Sequence, residues 1–521
     1  MTPPGSRAGT PRRARALLTL DALRALERSH AALPLMERAG LAAAEVALEM
    51  IARRGAPVVV LAGPGNNGGD ACVVARRLHE HGLAVSVLGR PAAANLSPEA
   101  TSAWATMRAA GVREIDAPPA ESPALVVDGL FGIGLSRAVG EPWASWIDWA
   151  NGTAAPILAL DIPSGLDAAT GVARAPTIVA ARTATFIALK PGLVTGDGPD
   201  HCGTVSVHDL GLDDVDAARA GICLEWPTLS RELPEVLARR RRATHKGSFG
   251  TVAVAGGAEG MVGAALLAGR AALALGAGRV VVELIARDAP RFDAVAPELM
   301  LREARIHDAN AQPPAADAKP LAVDAQALVV GPGLGRSSLA ADILAAAIAR
   351  DAPLVLDADA LNLISEDAHL AQAIAQRTAA TIITPHPAEA ARLLHRDTAA
   401  VQSDRVAAAT ALAQRFRATT ILKGAGSIIA HAQGGFDINT TGNPALSTAG
   451  SGDVLSGMLG ALLAQCIALA DAARIAVCLH GAAADALVAD GIGPVGVRAS
   501  EVIERARALV NAARGQVLPF A

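Results

Sequence analysis

Two stretches of the chain hold residue types that could do chemistry. In the first, Gly63-Pro64-Gly65-Asn66-Asn67-Gly68-Gly69-Asp70 follows the apolar run 58–62 and precedes a stretch of helical period, 71–81. A glycine turn between strand and helix lets backbone amides approach a phosphate at a helix N-terminus. The paired Asn and the closing Asp put polar side chains on a tight turn, where they need partners. Two further apolar runs end in polar groups: Asp128 in 126–134, and Asp161 with Ser164 in 161–167. Carboxyl ends of neighbouring parallel strands converge on one crevice. Asn67, Asp128 and Ser164 could therefore share an oxygen-lined cation site; the alternative is three unrelated caps and turns.

The second stretch reads NTTGNPALSTAGSGDVLSG over 439–457, a loop of small residues opening into a helix at about Val454. Small residues there allow the amides of 449–453 to point at an anion, and Asp453 sits where a base could take a hydroxyl proton. Such a loop suits phosphoryl transfer, which is mostly positioning and charge stabilisation. A plain glycine-rich helix start is the alternative. Upstream, Leu422-Lys423-Gly424-Ala425-Gly426-Ser427 follows a strand-like run and supplies a cation near nucleotide phosphates. The Gly331-Pro332-Gly333-Leu334-Gly335 turn and the segment His386-Pro387-Ala388-Glu389-Ala390-Ala391-Arg392 also follow strand-like runs. They offer a histidine, a carboxylate and an arginine, although a lone His at a helix start is more often a cap.

These groups need parallel strands to position them. Short β-branched runs alternate throughout with Ala/Leu/Arg stretches of helical period, the pattern of parallel sheets covered by helices. Strands are expected at 57–62, 84–88, 124–128, 156–161, 183–189 and 204–207, and again at 250–256, 280–285, 327–330, 354–357, 380–384 and 420–422. Between the two sets, 226–242 carries Pro227, Pro234 and four arginines at 239–242, and reads as a solvated linker. A tail is expected over 1–16, a first domain over 17–225, a second over 243–516, and a Pro/Ala-rich surface loop at 308–320.

Composition excludes other classes. With 521 residues, 51% hydrophobic content and a net charge of -4, the chain is neither disordered nor a polybasic nucleic-acid binder. Five cysteines without CxxC spacing argue against disulfides and zinc and fit a reducing cytoplasm. The apolar stretch 16–20 is ended by Asp21 too early for a signal peptide. The apolar region 454–470 contains Ser456 and Gln465 and reads as a buried helix, so no membrane partner is expected. Only four of the 46 basic residues are lysines, at 190, 246, 319 and 423. Where Arg has displaced Lys almost everywhere, a retained Lys marks a place for a compact point charge that a planar guanidinium cannot replace.

The motifs carry two resemblances. LMERAG at 35–40, the NNGGD turn, DGLFGIGL at 128–135, DIPSGLD at 161–167 and FIALKPGL at 186–193 together resemble the NAD(P)H-hydrate epimerase domain of YjeF N-terminal type, over about 17–215. The resemblance implies a Rossmann-like three-layer α/β fold. It implies that Asn66, Asn67, Gly68, Gly69, Asp70, Gly132, Ile133, Gly134, Leu135, Ser136, Arg137, Ala138 and Asp161 contact the hydrated dinucleotide. It also implies that Asn67, Asp128 and Ser164 hold K+. Asp128 is the candidate proton shuttle for inverting the hemiaminal carbon, and Lys190 could complement a phosphate or carboxylate. Ala71 stands where the family usually has Gly.

From about 245 to 507, HKGSFG, AGG with MVGAA, GPGLG, LVLDADALNL, TPHPAEAARL, LKGAGS and GNPALSTAGSGD resemble the ADP/ATP-dependent NAD(P)H-hydrate dehydratases, a ribokinase-like α/β branch. By that resemblance Ala264, Gly333, His386, Pro387, Ala388, Glu389, Ala390, Ala391, Arg392 and Asp453 bind the hydrate. Lys423, Gly424, Ala425, Gly426, Ser427, Asn443, Ser447, Thr448, Ala449, Gly450, Ser451 and Gly452 would bind the nucleotide, with Mg2+ as its charge-neutralising partner. Ser451 replaces the usual Thr, and Ala445 and Ala449 the usual Gly. The expectation is a bifunctional cytoplasmic repair enzyme, a homo-oligomer with NADHX, NADPHX and ADP (or ATP) as its partners, ADP being favoured. The alternatives are a ribokinase-class small-molecule kinase with a regulatory N-terminal domain, and a first domain that is only a binding scaffold.

Overall fold

Runs of Val, Ile and Leu form strands when helices can cover both of their faces, and in this computed structural model they build two parallel sheets. The described residues are 15–51, 57–89, 96–135, 137–238, 240–304 and 325–514. Residues 1–14 of the expected tail, Ser136, Arg239, the 308–320 loop with Lys319, and 515–516 lie outside them. The chain divides into two compact units between Ile222 and Cys223.

In the first unit the sheet runs Arg113–Ile115, Val85–Gly89, Val58–Ala62, Leu125–Gly129, Ile157–Leu160, Arg182–Phe186, Thr204–His208, every neighbouring pair parallel. Strand order reverses between Val58–Ala62 and Leu125–Gly129, the switch point at which such sheets open a crevice. Helices Leu35–Met50, Asn66–Glu80 and Pro98–Ala109 cover one face and Trp143–Gly152 the other, each closing its own apolar cluster. Residues 15 and 16, read as tail, belong to the strand Arg15–Leu17.

One local difference matters for function. The helix after the glycine turn begins at Asn66, five residues earlier than its apolar period indicates, so NNGGD forms the first turn itself. Gly68 and Gly69 are poor helix formers but permit close packing. A methyl group on Gly68 would stand 2.0 Å from the Gly63 carbonyl oxygen, and one on Gly69 would stand 2.6 Å from Met36 Sδ.

In the second unit the order is Phe436–Asn439, Ile428–Ala430, Thr419–Leu422, Thr381–Ile383, Leu354–Leu356, Ala327–Val330, Thr251–Gly256, Arg279–Leu284, Met300–Glu303. Pairing is parallel from Thr419–Leu422 onward, with the switch point between Ala327–Val330 and Thr251–Gly256. The first three strands form an antiparallel meander, which the alternating strand-helix pattern does not lead one to expect. Helix Ser451–Ala464 is buried along nearly its whole length. Gly457 approaches the Ala268 carbonyl and Gly460 lies on Val329, which fixes the helix N-terminus above the strand ends.

Residues 226–242 fall within the second unit. Arg240 is not a solvated face: its guanidinium lies 3.8 Å from the Phe249 ring centroid and donates to Gln465 Oε1 at 2.8 Å. Among the described residues one helix, Leu469–Ala489, is long and apolar enough to cross a membrane, but it is mostly buried within the protein.

A Gly68→Ala variant should lose about 1–3 kcal/mol of stability by overpacking. Urea unfolding followed by tryptophan fluorescence reads this, because Trp104, Trp143, Trp146 and Trp149 all lie in the first unit.

Candidate active sites

A cavity of about 850 Å3 opens at the switch point of the first sheet. It is lined by Asn66, Asn67, Asp70, Gly132, Ile133, Gly134, Leu135, Arg137 and Asp161, all expected there, and by Glu27, Met36 and Lys190. Gly68 and Gly69 are consumed in packing, and Ala138 stands outside the lining.

Asp128 and Ser164 lie beneath this cavity and do not line it. The Asp128 carboxylate is fully buried and accepts hydrogen bonds from the Ser164 amide (2.8 Å), the Ser164 hydroxyl (2.7 Å) and the Leu130 amide (3.2 Å). The Phe131 amide donates to the Ser164 hydroxyl at 2.9 Å. Burial pushes the Asp128 carboxyl up to about 6, against these hydrogen bonds. A proton shuttle must reach the substrate, and Asp128 is sealed from the cavity, so the expected shuttle role does not fit its position. Asn67 is 7% exposed, and both polar atoms of its amide are buried without a hydrogen-bond partner among the described residues. An orphaned amide of this kind calls for a ligand.

Asp161 is presented to the cavity from the end of Ile157–Leu160 with φ at 64°, a strained conformation for a residue with a side chain. Its carboxylate accepts from the Lys190 ammonium and, at 3.3 Å, from the Phe186 amide. Lys190 is 1% exposed, and it also donates to the Thr185 hydroxyl and the Phe186 carbonyl, both at 2.8 Å. With three donors and three acceptors it is neither a surface lysine nor a free hook for phosphate; its ammonium is paired with the Asp161 carboxylate. Burial, reinforced by the charges of Asp161 and Glu27, raises the Asp70 carboxyl well above its usual range.

The second site lies where the strands of the other sheet end. Asp357, after Leu354–Leu356, is buried and accepts from Lys423 Nζ at 2.7 Å and from the Ser456 hydroxyl at 2.8 Å. Burial alone would raise the Asp357 carboxyl, but Lys423 reverses this and holds it below its usual range. The Lys423 ammonium in turn is held above its usual range against burial by Asp357 and Glu389. It sits 3.3 Å from where a methyl on Gly452 would stand, at the start of helix Ser451–Ala464. That helix begins three residues before Val454, its cap Gly450 has φ of 89°, and no side chain caps it. The Ser451 amide is spent on the Thr448 carbonyl at 3.3 Å, and the amides of Gly452 and Asp453, without an acceptor among the described residues, form an anion site. Asp453 lies in this turn, its carboxyl raised to about 7 by burial and then by Asp357.

His386 is the cap of helix Pro387–Leu394: its Nδ1 accepts from the Ala388 amide at 3.1 Å, and Glu389 returns a bond to the His386 amide at 2.8 Å. Glu389 is buried, its carboxyl raised to about 7 chiefly by that burial. Ala390 and Ala391 point into the core, so their side chains do not face the crevice. Arg392 is positioned by Asn362 at 3.0 Å. Gly333 adopts φ of 60°, and a methyl there would stand 3.2 Å from Ala264 Cβ, so those two expected neighbours do meet. Asn443 is spent on its own loop: its amide donates to Asp485 at 2.8 Å and accepts from the Ala445 amide at 2.9 Å.

Several residues that shape this site were not read from the sequence. Asp357 and Ser456 lie inside quoted motifs without an assigned role. Asp485 and His480, on helix Leu469–Ala489, brace the 442–451 loop from behind, and His480 Nε2 lies 3.4 Å from the Ser451 hydroxyl. Burial pulls the His480 imidazole down to about 4. Only a fold brings 480 to 451, so no local signal could have found it.

An α/β protein with one crevice at each of two switch points, the first cavity floored by an orphaned amide and the second headed by an uncapped helix, belongs to the nucleotide-handling enzymes. Residues 252–506 match the family described as NAD(P)H-hydrate dehydratase, and 32–192 the family described as YjeF-related protein N-terminus. The chain is 39% identical over 509 residues to a bifunctional NAD(P)H-hydrate repair enzyme of Leishmania braziliensis, covering 92% of this chain and 89% of that one. With the bifunctional NAD(P)H-hydrate repair enzyme Nnr of Escherichia coli (strain K12) it shares 38% identity, over 87% of this chain and 85% of that one. Among solved structures, the ADP/ATP-dependent NAD(P)H-hydrate dehydratase of Bacillus subtilis, co-crystallised with ATP/Mg2+, is similar at 27% identity and a TM-score of 0.46, covering 56% of this chain and 98% of that one. The chain belongs to the family of bifunctional NAD(P)H-hydrate repair enzymes.

His480 is neutral in the folded protein down to a lower pH than in the unfolded chain. Its contribution to stability is complete above its ordinary pKa of 6.5 and is lost as pH falls through about 4. Denaturant unfolding between pH 7 and 4 should show this loss, with a shallower slope in a His480→Gln variant.

Proposed function

We propose that the protein repairs hydrated NADH and NADPH, the first unit interconverting the R and S hydrates and the second dehydrating the S form at the expense of ADP or ATP. The observation that carries this reading is the arrangement around Asp453: a carboxyl near neutrality beside uncapped helix amides and the Lys423–Asp357 pair. Asp453 takes the proton of the ring hydroxyl as that oxygen attacks the terminal phosphate. The amides of the first turn receive the charge on the transferred group. Phosphate then leaves with the ring oxygen while the adjacent carbon loses a proton, which restores the reduced nicotinamide. Magnesium accompanies the nucleotide and neutralises its charge.

In the first unit, Asn67, Asp128 and Ser164 fit a potassium ion. All three offer oxygen, the Asn67 side-chain amide has no other partner among the described residues, and it lies against Gly132 in the loop whose Phe131 amide binds Ser164. A bound cation would fix the loop charge of Asp128 at the floor of the cavity. Proton transfer to and from the hemiaminal falls to Asp161, which faces the cavity and pairs with Lys190. Asp70 and Glu27 complete an acidic wall around the reacting ring.

Incubation with NADH hydrate and ADP or ATP should return reduced-nicotinamide absorbance; no return with either nucleotide would refute the reading and favour a kinase of another substrate. Dehydration should rise with pH through about 7 as Asp453 ionises, and Asp453→Asn should reduce it about 100-fold or more and flatten that rise. Asp161→Asn should slow epimer exchange by a similar factor and leave dehydration of pure S hydrate unchanged.

A further inference from the structure

A buried arginine that belongs to none of the motifs underlies the LKGAGS turn. Arg405 opens helix Arg405–Phe416 and is 2% exposed. Its guanidinium donates to the Lys423 carbonyl at 3.2 Å, to the Leu422 carbonyl at 3.4 Å and to Gln402 Oε1 at 2.8 Å. Gly424 lies directly on it: a methyl there would stand 2.9 Å from both terminal nitrogens, and its φ of 137° is open to glycine alone. The carbonyl and the amide of one trans peptide point in opposite directions. Because the Lys423 carbonyl points down into Arg405, the Gly424 N–H points up, and Gly424 is exposed at the crevice. Among the described residues nothing accepts from that N–H, whereas the preceding amide, that of Lys423, is spent on the Pro385 carbonyl at 2.9 Å.

We infer that Arg405 is a positioning residue for nucleotide binding: it orients and polarises the Lys423–Gly424 peptide so that the Gly424 N–H donates to a phosphate oxygen of ADP or ATP. This rests on the nucleotide-dependent reading of the second unit and deepens it. The charge of Arg405 reaches the anion through one peptide, out of solvent, while Lys423 supplies its own charge above the same turn. Arg405 does not touch the base or ribose in this arrangement, so its effect is confined to phosphate.

Isothermal titration of the full chain with ADP and with adenosine separates this role from a general loss of structure. Arg405→Met should weaken ADP about tenfold, the scale of one hydrogen bond to a charged group, and leave adenosine within about twofold. Arg405→Lys should recover part of the loss. Gly424→Ala, whose methyl presses on the Arg405 guanidinium and turns the same peptide, should show the same selectivity if the Met variant folds poorly. Unchanged ADP binding, or equal loss for ADP and adenosine, overturns the inference alone. A native chain that binds neither ADP nor ATP overturns it together with the nucleotide-dependent reading.

Discussion

The second site depends on one buried ion pair. Asp357, fully buried, and Lys423, partly exposed, come from separate strand ends and meet at 2.7 Å. Removing one partner of a buried pair leaves an uncompensated charge, at a cost of about 3–5 kcal/mol. The pair also sets the chemistry around it. Burial raises the Asp453 and Glu389 carboxyls and the charge of Asp357 adds to this, while Lys423 pulls both back only in part. Both carboxyls drift to about 7, where a general base both ionises at working pH and still accepts a proton readily.

The first unit uses the same device with the opposite outcome. Lys190 gives all of its donors to Asp161 and its neighbours, whereas the Asp70 carboxyl is raised by burial and then by the charge of Asp161. Two carboxyl groups in one cavity thus have different surroundings, one paired with an ammonium and the other desolvated. In a chain that uses arginine almost throughout, these two sites keep lysine. The Lys190 ammonium sits among the oxygens of Asp161, Thr185 and Phe186, and that of Lys423 is bonded to Asp357 beside the Gly452 α-carbon, both places with little room for a planar guanidinium. Lys246 follows no such rule and is exposed.

What was legible in the sequence was the set of strand ends. β-branched runs closed by Gly, Asn or Asp place 66–70, 128–134, 161–164, 331–335, 386–392 and 423–427 correctly at the carboxyl edges of parallel strands. Legibility failed where long-range packing decides. The helix start at Asn66 is hidden because glycines admitted for contact with Gly63 and Met36 read as a turn. The meander 419–439 has strands too short to announce their direction. For Asp128, spacing shows that it ends a strand but not that a serine 36 residues away closes over it. Arg405, His480 and Asp485 act on loops distant in sequence, and nothing local distinguishes a bracing side chain from an ordinary core residue.

The account stands most directly on Lys423 being a point charge in a cage set by Asp357 and the Gly452 α-carbon. The measurement is nucleotide-dependent dehydration of S-NADH hydrate by a Lys423→Arg variant, with epimer exchange in the same preparation as the control for folding. Dehydration should fall by about 100-fold or more, as for loss of a preorganised charge, while epimer exchange stays within about twofold. Dehydration within a few-fold of the native rate would contradict it, because a guanidinium would then serve where only a compact ammonium fits.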